Sequence, residues 1–369
     1  MEPKVSDATN APGWGMTLQA MICERCDWRF LAPAGAAPLR CPHCFQANLS
    51  PLPPESKQIG QENPPELVAP FSLNSPMLAA AVQRFASGIP FPPADLVADK
   101  LTSRMARLYL PMWLVDTQAQ ANWQAETGYN YQVVSHQDSY NDHQGGWSSR
   151  QVEETRIRWE PRLGQLARSY HNVAAPALEQ HRQIQAALGS FKLDSARPFE
   201  PEMIQGAYVR LPDRPAQDAW GDALPVLYGL AAEECRQAAG ADHIRKFAWQ
   251  AEFPDQHWSM LLLPVYATYY LDDDQQPQPV QLNGQNGQIS GSRRASPKRA
   301  RRAALGLLGA SALAFLVGML LIALSVLLPV LMIVAVVALA ICLLLGAGAL
   351  VPPLMAWNFN RKPERRLGR

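Results

Sequence analysis

The stretch 303-AALGLLGASALAFLVGMLLIALSVLLPVLMIVAVVALAICLLLGAGALVPPLMAW-357 contains no Asp, Glu, Lys, Arg, His, Asn or Gln across 55 residues. A bilayer core of about 30 Å takes roughly 20 helical residues, so the run is too long for one span and fits two. The reading places helices at 303–324 and 330–351, joined by a tight turn at Ser325–Pro329. Pro329 suits the first turn of the second helix, where its missing N–H is no loss. A helical hairpin also keeps every backbone polar group paired within lipid. A buried hairpin of a soluble domain is the competing reading, and so long an uncharged run weighs against it. Gly306, Gly309, Gly318, Gly346 and Gly348 are candidates for close helix approach. The thiol of Cys342 is the only ionisable group within the span, so the segment reads as an anchor, not an ion pathway.

Working outward, the flanks are basic. Arg293, Arg294, Lys298, Arg299, Arg301 and Arg302 precede the span; Arg361, Lys362, Arg365, Arg366 and Arg369 follow it. The turn carries no charge. The positive-inside rule then predicts a multi-pass protein of the inner (plasma) membrane with both termini cytoplasmic. The lipid bilayer is its first expected partner, with both basic clusters placed to meet anionic headgroups. With Glu364 the one acid, residues 293–369 carry +10; residues 1–292 hold 22 Lys/Arg against 31 Asp/Glu, a net −9. An acidic body argues against nucleic acid as a partner. No apolar run follows Lys4, so no secretory signal peptide is expected.

Four of the six cysteines form two pairs, Cys23-Glu-Arg-Cys26 and Cys41-Pro-His-Cys44, a C-x2-C-x14-C-x2-C pattern. This spacing matches a four-thiolate zinc site. Each short turn presents two sulfurs, and the loop between folds back so that both pairs meet one ion. About 30 residues bury too little apolar surface to fold alone, so metal binding would supply the folding energy. Disulfides or redox pairs are the alternatives; a cytoplasmic location disfavours the first, and no βαβ pattern supports the second. The expected cofactor is therefore one structural Zn2+ on Cys23, Cys26, Cys41 and Cys44, with no open coordination position. His43 is weighed as a further ligand and set aside. Cys235 and Cys342 read as plain buried thiols.

The expected fold is multidomain: a zinc ribbon over 17–47, a Pro-rich linker over 48–70, and an α+β cytoplasmic domain with an antiparallel sheet over 71–291. A basic juxtamembrane linker over 292–302, the two transmembrane helices within 303–357 and a basic cytoplasmic tail over 358–369 complete it. Ser75 as N-cap, Pro76 and Gly88 bound a helix with Leu78, Ala81, Val82 and Phe85 on its buried face. Thr117, Ala119, Ala121, Trp123 and Ala125 alternate with polar residues as in a half-buried strand. Across a polar loop, Thr155, Ile157 and Trp159 suggest its antiparallel partner. Helical patterns occupy 174–188 and 216–239, ending at Gly189 and Gly240. Strands follow at Trp258–Tyr270 and Pro279–Ile289, with Asn283-Gly284 and Asn286-Gly287 as turns. Strands, then helices, then strands suggest α+β.

The ribbon, the Pro111-Met-Trp-Leu-Val-Asp116 strand and the Leu263-Pro-Val-Tyr266…Asn283-Gly-Gln-Asn-Gly-Gln-Ile-Ser-Gly291 segment stand in this order before the apolar helices. With Pro65-Glu-Leu-Val-Ala-Pro-Phe71, the combination resembles bacterial membrane proteins with a zinc ribbon like that of transcription factor IIB, some labelled primosomal helicase-like. Where such ribbons commonly place glycine after the second knuckle, Phe45 stands here, so that turn is expected to differ. The resemblance implies a family without an assigned reaction, linked to membrane-stress systems of the phage-shock kind, and a cytoplasmic protein partner at the membrane. The helicase label has no support in the residues, because no G-x-x-x-x-G-K-[ST] loop occurs.

No catalytic residues are assigned and no enzyme activity is expected. His136, Asp138, Asp142 and His143 could form a second metal or acid–base site; Gly145-Gly146 and the polar composition describe an exposed loop better. Asp272-Asp273-Asp274 reads as a solvated hairpin tip. There is no H-E-x-x-H, G-x-S-x-G or dinucleotide glycine pattern. The expected function is a membrane-anchored adaptor. A membrane-tethered nucleic-acid binder is the first alternative, weakened by a ribbon whose Glu24, Arg25, Asp27, Arg29 and Arg40 sum to +1. An enzyme with an unrecognised site is the second.

Overall fold

The computed structural model describes residues 13–34, 39–53, 63–141, 147–325 and 327–361, apart from the side chains of 138–141 and 147–150. In chain order the strands are β1 (Leu18–Cys23), β2 (Arg29–Pro33), β3 (Leu49–Pro51), β4 (Leu67–Val68), β5 (Ala106–Asn141), β6 (Trp147–Pro176), β7 (Arg197–Pro198), β8 (Tyr208–Arg210), β9 (His243–Glu252), β10 (His257–Leu271), β11 (Pro277–Asn283) and β12 (Ile289–Gly291). The helices are α1 (Ser75–Ser87), α2 (Ala98–Ser103), α3 (His181–Leu188), α4 (Ala216–Ala239), α5 (Pro297–Ser325), α6 (Leu331–Gly348) and α7 (Val351–Arg361). The chain divides into two compact units: Met1–Pro111 with Leu178–Asp213 and Leu261–Arg369, and Met112–Ala177 with Arg214–Met260.

In the first unit the strand order is β12-β11-β10-β5-β8-β2-β1-β3. The sheet is mixed, not antiparallel as expected: β5 pairs β8 in parallel through Leu108↔Tyr208, and β4 pairs β10 in parallel through Leu261↔Leu67. Parallel neighbours need long crossovers, and local turn signals report only chain-adjacent pairs. Residues 48–70, expected as a linker, contain β3 and β4, and β2 pairs β8. The ribbon strands are thus part of the main sheet.

Helix α1 buries Leu78, Ala81, Val82 and Phe85 as expected, but its cap is Asn74, whose Oδ1 accepts from Met77 N at 3.0 Å. Its apolar face joins Leu101, Tyr270, Val280 and Leu282, and the same cluster takes in Ala300 of α5 and Ala356 and Phe359 of α7. Residues 292–302 are therefore packed, not a free linker. Ser296 Oγ donates to the Asp273 carboxylate and accepts from Arg299 N, capping α5. Asp273 also accepts from Lys298 N, and buried Asp272 accepts from the N–H groups of Asp274 and Gln276 and from Gln278 Nε2. The Asp272–Asp274 turn is a tie between β10 and α5, where the sequence suggested a solvated tip.

α5 and α6 are long and apolar enough to cross a membrane, and their large side chains point outward. Ala304, Ser311 and Gly318, seven apart, are their buried small residues, with Ala335 opposite. Ser311 Oγ donates to Cys342 O at 2.8 Å. A side chain added at Gly318 would meet Leu339, and one at Gly346 would meet Ser311; Gly306, Gly309 and Gly348 face open space. Two of the five glycines expected at the contact are there.

The second unit is built on the β5–β6 hairpin, which runs from Met112↔Pro176 to Asn141↔Trp147. The alternation at Thr117–Ala125 buries those residues, and Thr155, Ile157 and Trp159 lie on the antiparallel partner. The strands extend well beyond them, into the segment expected as a polar loop, because strands with both faces in water need no alternation. The helical pattern at 174–188 shortens to α3, since 173–176 pair with 112–115. Strand β9, unforeseen from the sequence, pairs with β5 from Gln120 to Gly128. α4 ends at Gly240 in the left-handed region, and its Cys235 and Ala239 pack on Ala121, Trp123 and Ala251.

Candidate metal centre

The first knuckle turns where β1 ends. Cys23 N donates to Trp28 O at 3.0 Å and Asp27 N to Cys23 O at 2.8 Å. The second repeats this form: Phe45 N donates to Cys41 O at 3.0 Å, and Cys41 N to Ala47 O at 2.9 Å. Both residues following a knuckle lie in the left-handed region, Asp27 at φ 58° and Phe45 at φ 54°. The second turn thus keeps the conformation that favours glycine, although Phe45 led us to expect a different one. The compensation is packing: the Phe45 ring is buried and stands 4.9 Å from that of Tyr269.

The four sulfurs converge. Cys23 and Cys44 are 3.6 Å apart, Cys26 and Cys41 3.7 Å, and all four sulfurs lie within 4.8 Å of one another. A tetrahedral cation with cation–sulfur distances of about 2.3 Å sets its sulfurs about 3.8 Å apart. A disulfide needs about 2.05 Å. The geometry fits one ion and not two disulfides, and all six cysteines are free thiols. The hydrogen bond with Cys26, supported by the N–H groups of Cys44 and His43, lowers the Cys41 thiol to about 5; the same bond raises Cys26, and burial raises Cys44. A thiolate at Cys41 is the form a metal binds.

His43 is not in the group. Its ring stacks on Trp28 at 3.6 Å, its Nδ1 is buried without a hydrogen-bond partner, and burial with the charge of Arg210 lowers it to about 4. Arg210, itself buried, lies over the Trp28 ring at 4.6 Å and donates to Arg29 O and Asp213. Arg210 and Tyr269 were not foreseen around the knuckles; their only sequence signal is basic and aromatic character far along the chain. A groove of about 520 Å³ adjoins Cys44, lined by Gln46, Gln183, Ile184 and Gln281 among others.

Of the second candidate cluster, His136 is exposed on β5. Asp142, His143, Gly145 and Gly146 and the side chain of Asp138 lie outside the described residues. Among the described residues the four cysteines are the group of His, Cys, Asp or Glu that can hold a metal ion.

The site defines a class, a four-cysteine cluster that could hold one metal ion, set in a mixed sheet. Comparison of the chain with protein-family models, curated proteins and solved structures gave no match.

Proposed function

We propose that this protein is an adaptor anchored in the inner (plasma) membrane by α5 and α6, with both termini and the sheet-bearing units in the cytoplasm. One structural zinc on Cys23, Cys26, Cys41 and Cys44 completes the fold of its N-terminal ribbon. The observation that carries this reading is the outer surface of α5 and α6. Leu313, Leu316, Leu320, Ile333, Val336 and Leu343 are all exposed, a surface that water disfavours and lipid accepts. The basic residues on both flanks support the orientation. The four-thiolate set supports zinc and leaves no ligand position for a substrate. The resemblance to bacterial membrane zinc-ribbon proteins supports a cytoplasmic protein partner, in membrane-stress response.

The test is purification of the full chain from native membranes in mild detergent, with nuclease treatment. The adaptor reading expects a protein partner at constant stoichiometry through the nuclease step and weak DNA affinity with a shallow salt dependence. Submicromolar DNA binding with a steep salt slope would replace it with the nucleic-acid reading.

A further inference from the structure

Beyond Gly128, where the pairing with β9 stops, β5 and β6 continue as a two-stranded arm. Thirteen residues of β5, Tyr129–Asn141, lie in it, roughly 40 Å at about 3.3 Å per residue. Both faces are open: Tyr131 and Val134 are exposed, as are Glu153, Glu154, Thr155, Arg156, Ile157 and Arg158. A lone two-stranded hairpin is marginally stable in water. Among the described residues β6 pairs only with β5, so its outer edge is a row of unpaired backbone groups. Free edges are usually blunted by proline, a bulge or charged side chains. Pro161 does so nearer the base; Gln151–Arg158 has no proline, and its charges, Glu153, Glu154, Arg156 and Arg158, are of both signs, so they bar a like-charged strand and admit a complementary one.

We propose that this edge of β6 pairs antiparallel with the same edge of a second copy of this chain, about a two-fold axis at Thr155. The argument for a second copy is the order of charges, Glu153-Glu154-Thr155-Arg156-Ile157-Arg158. An isologous interface must complement itself, and a dyad at Thr155 brings Glu154 opposite Arg156 in both halves, with Glu153 opposite Ile157 and Val152 opposite Arg158. Glu154 then stands directly opposite the partner subunit's Arg156, with the partner subunit's Arg158 and the partner subunit's Glu154 on its two diagonals, on the same face. The symmetry repeats the direct contact and the contact with the partner subunit's Arg158, so attractive pairs outnumber like-charged ones. Opposite charges at such positions stabilise a strand pair, and like charges oppose it. On that face Tyr129 and Tyr131 neighbour Arg158 and Arg156 across the hairpin, so each copy also brings two aromatic rings to the joined sheet. Within one chain Arg156 reaches Glu154 at 3.2 Å, both more than half exposed. Such exposed pairs are weak and re-partner at little cost.

The test is the oligomeric state of the full chain in nanodiscs by native mass spectrometry, with circular dichroism and metal content as folding controls. The wild-type chain is expected to be a dimer. Glu154→Arg or Arg156→Glu alone should weaken it about tenfold, each turning the two direct attractive contacts repulsive. The double reversal should restore it in large part, because the direct pairs are again opposite in charge while the diagonal contact with the partner subunit's Arg158 is not. Because the double variant keeps the pair within each chain, mixing it with wild type isolates the contact between chains: homodimers should form at the expense of heterodimers. A monomeric wild type, a dimer indifferent to single reversal, or statistical mixing would each overturn the proposal.

Discussion

Phe45 holds a backbone conformation that costs a side-chain-bearing residue roughly 1–2 kcal/mol, at φ 54°. Its ring is buried against Tyr269, and losing a buried Phe ring costs about 3–5 kcal/mol. Packing wins, so Phe45→Gly should destabilise by roughly 2–3 kcal/mol despite relieving the backbone, as measured by denaturant unfolding. A stabilised Phe45→Gly would show that the turn, not the ring, dominates. At the ligands, metal analysis of the purified chain should give one zinc per chain. Cys41→Ser should lose it and lower the melting temperature. Full occupancy with all four cysteines changed to serine would refute the assignment. The convergence of the four cysteines was legible because such a turn is local: two residues between cysteines set its geometry. Tyr269 and Arg210 were not, since nothing near residue 45 or 28 encodes what folds over it.

At the scale of elements, legibility follows regularity. α1 and α4 carry a sustained period and a terminal glycine, and both were readable. β9 was not: Ile244 lies on one alternation and Phe247, Trp249 and Ala251 on the other. The break falls at Lys246, at φ 49°, where the register with β5 shifts. A bulge moves every later side chain to the opposite parity, which hides a strand from a period-two reading. Gly164 shows a different constraint. It faces Trp123 across the hairpin, and an added Cβ would sit 2.3 Å from the indole. Gly164→Ala should therefore destabilise by about 1–3 kcal/mol through displaced packing; an unchanged melting temperature would contradict this.

Asp95 ties α2 to β10. Burial opposes its charge, yet hydrogen bonds from Arg104, Leu271 N and Lys100 outweigh this and hold the carboxyl down at about 2. A carboxyl lowered from an ordinary value near 4 stabilises fully above about pH 4, and that contribution is lost as pH falls through 2. Asp95→Asn should thus lower stability at pH 7 by roughly 1–2 kcal/mol. It should also flatten the loss of stability between pH 4 and pH 2, measured by unfolding at each pH. An acid limb as steep as that of the wild type would contradict the role.

In the molecule as a whole, long-range pairing decides what the sequence separated. Proline content suggested a ribbon on a tether, but β2 meets β8 about the Phe30↔Arg210 and Leu31↔Val209 pairs. The basic segment suggested another tether, but Ala295, Ser296 and Ala300 are buried and Asn360 bonds both backbone groups of Ala295. Neither pairing leaves a local trace. The apolar run was legible throughout because its length and lack of charge are themselves the signal. The central claim is that this run crosses the bilayer as a hairpin with the sheet-bearing units inside. Single cysteines placed at Leu328 and at Arg302, labelled in intact cells with a membrane-impermeant maleimide, test it directly against the wild-type background. The account predicts labelling at 328 before lysis and at 302 only after it. Protection at 328 in intact cells, or labelling at 302, would contradict it.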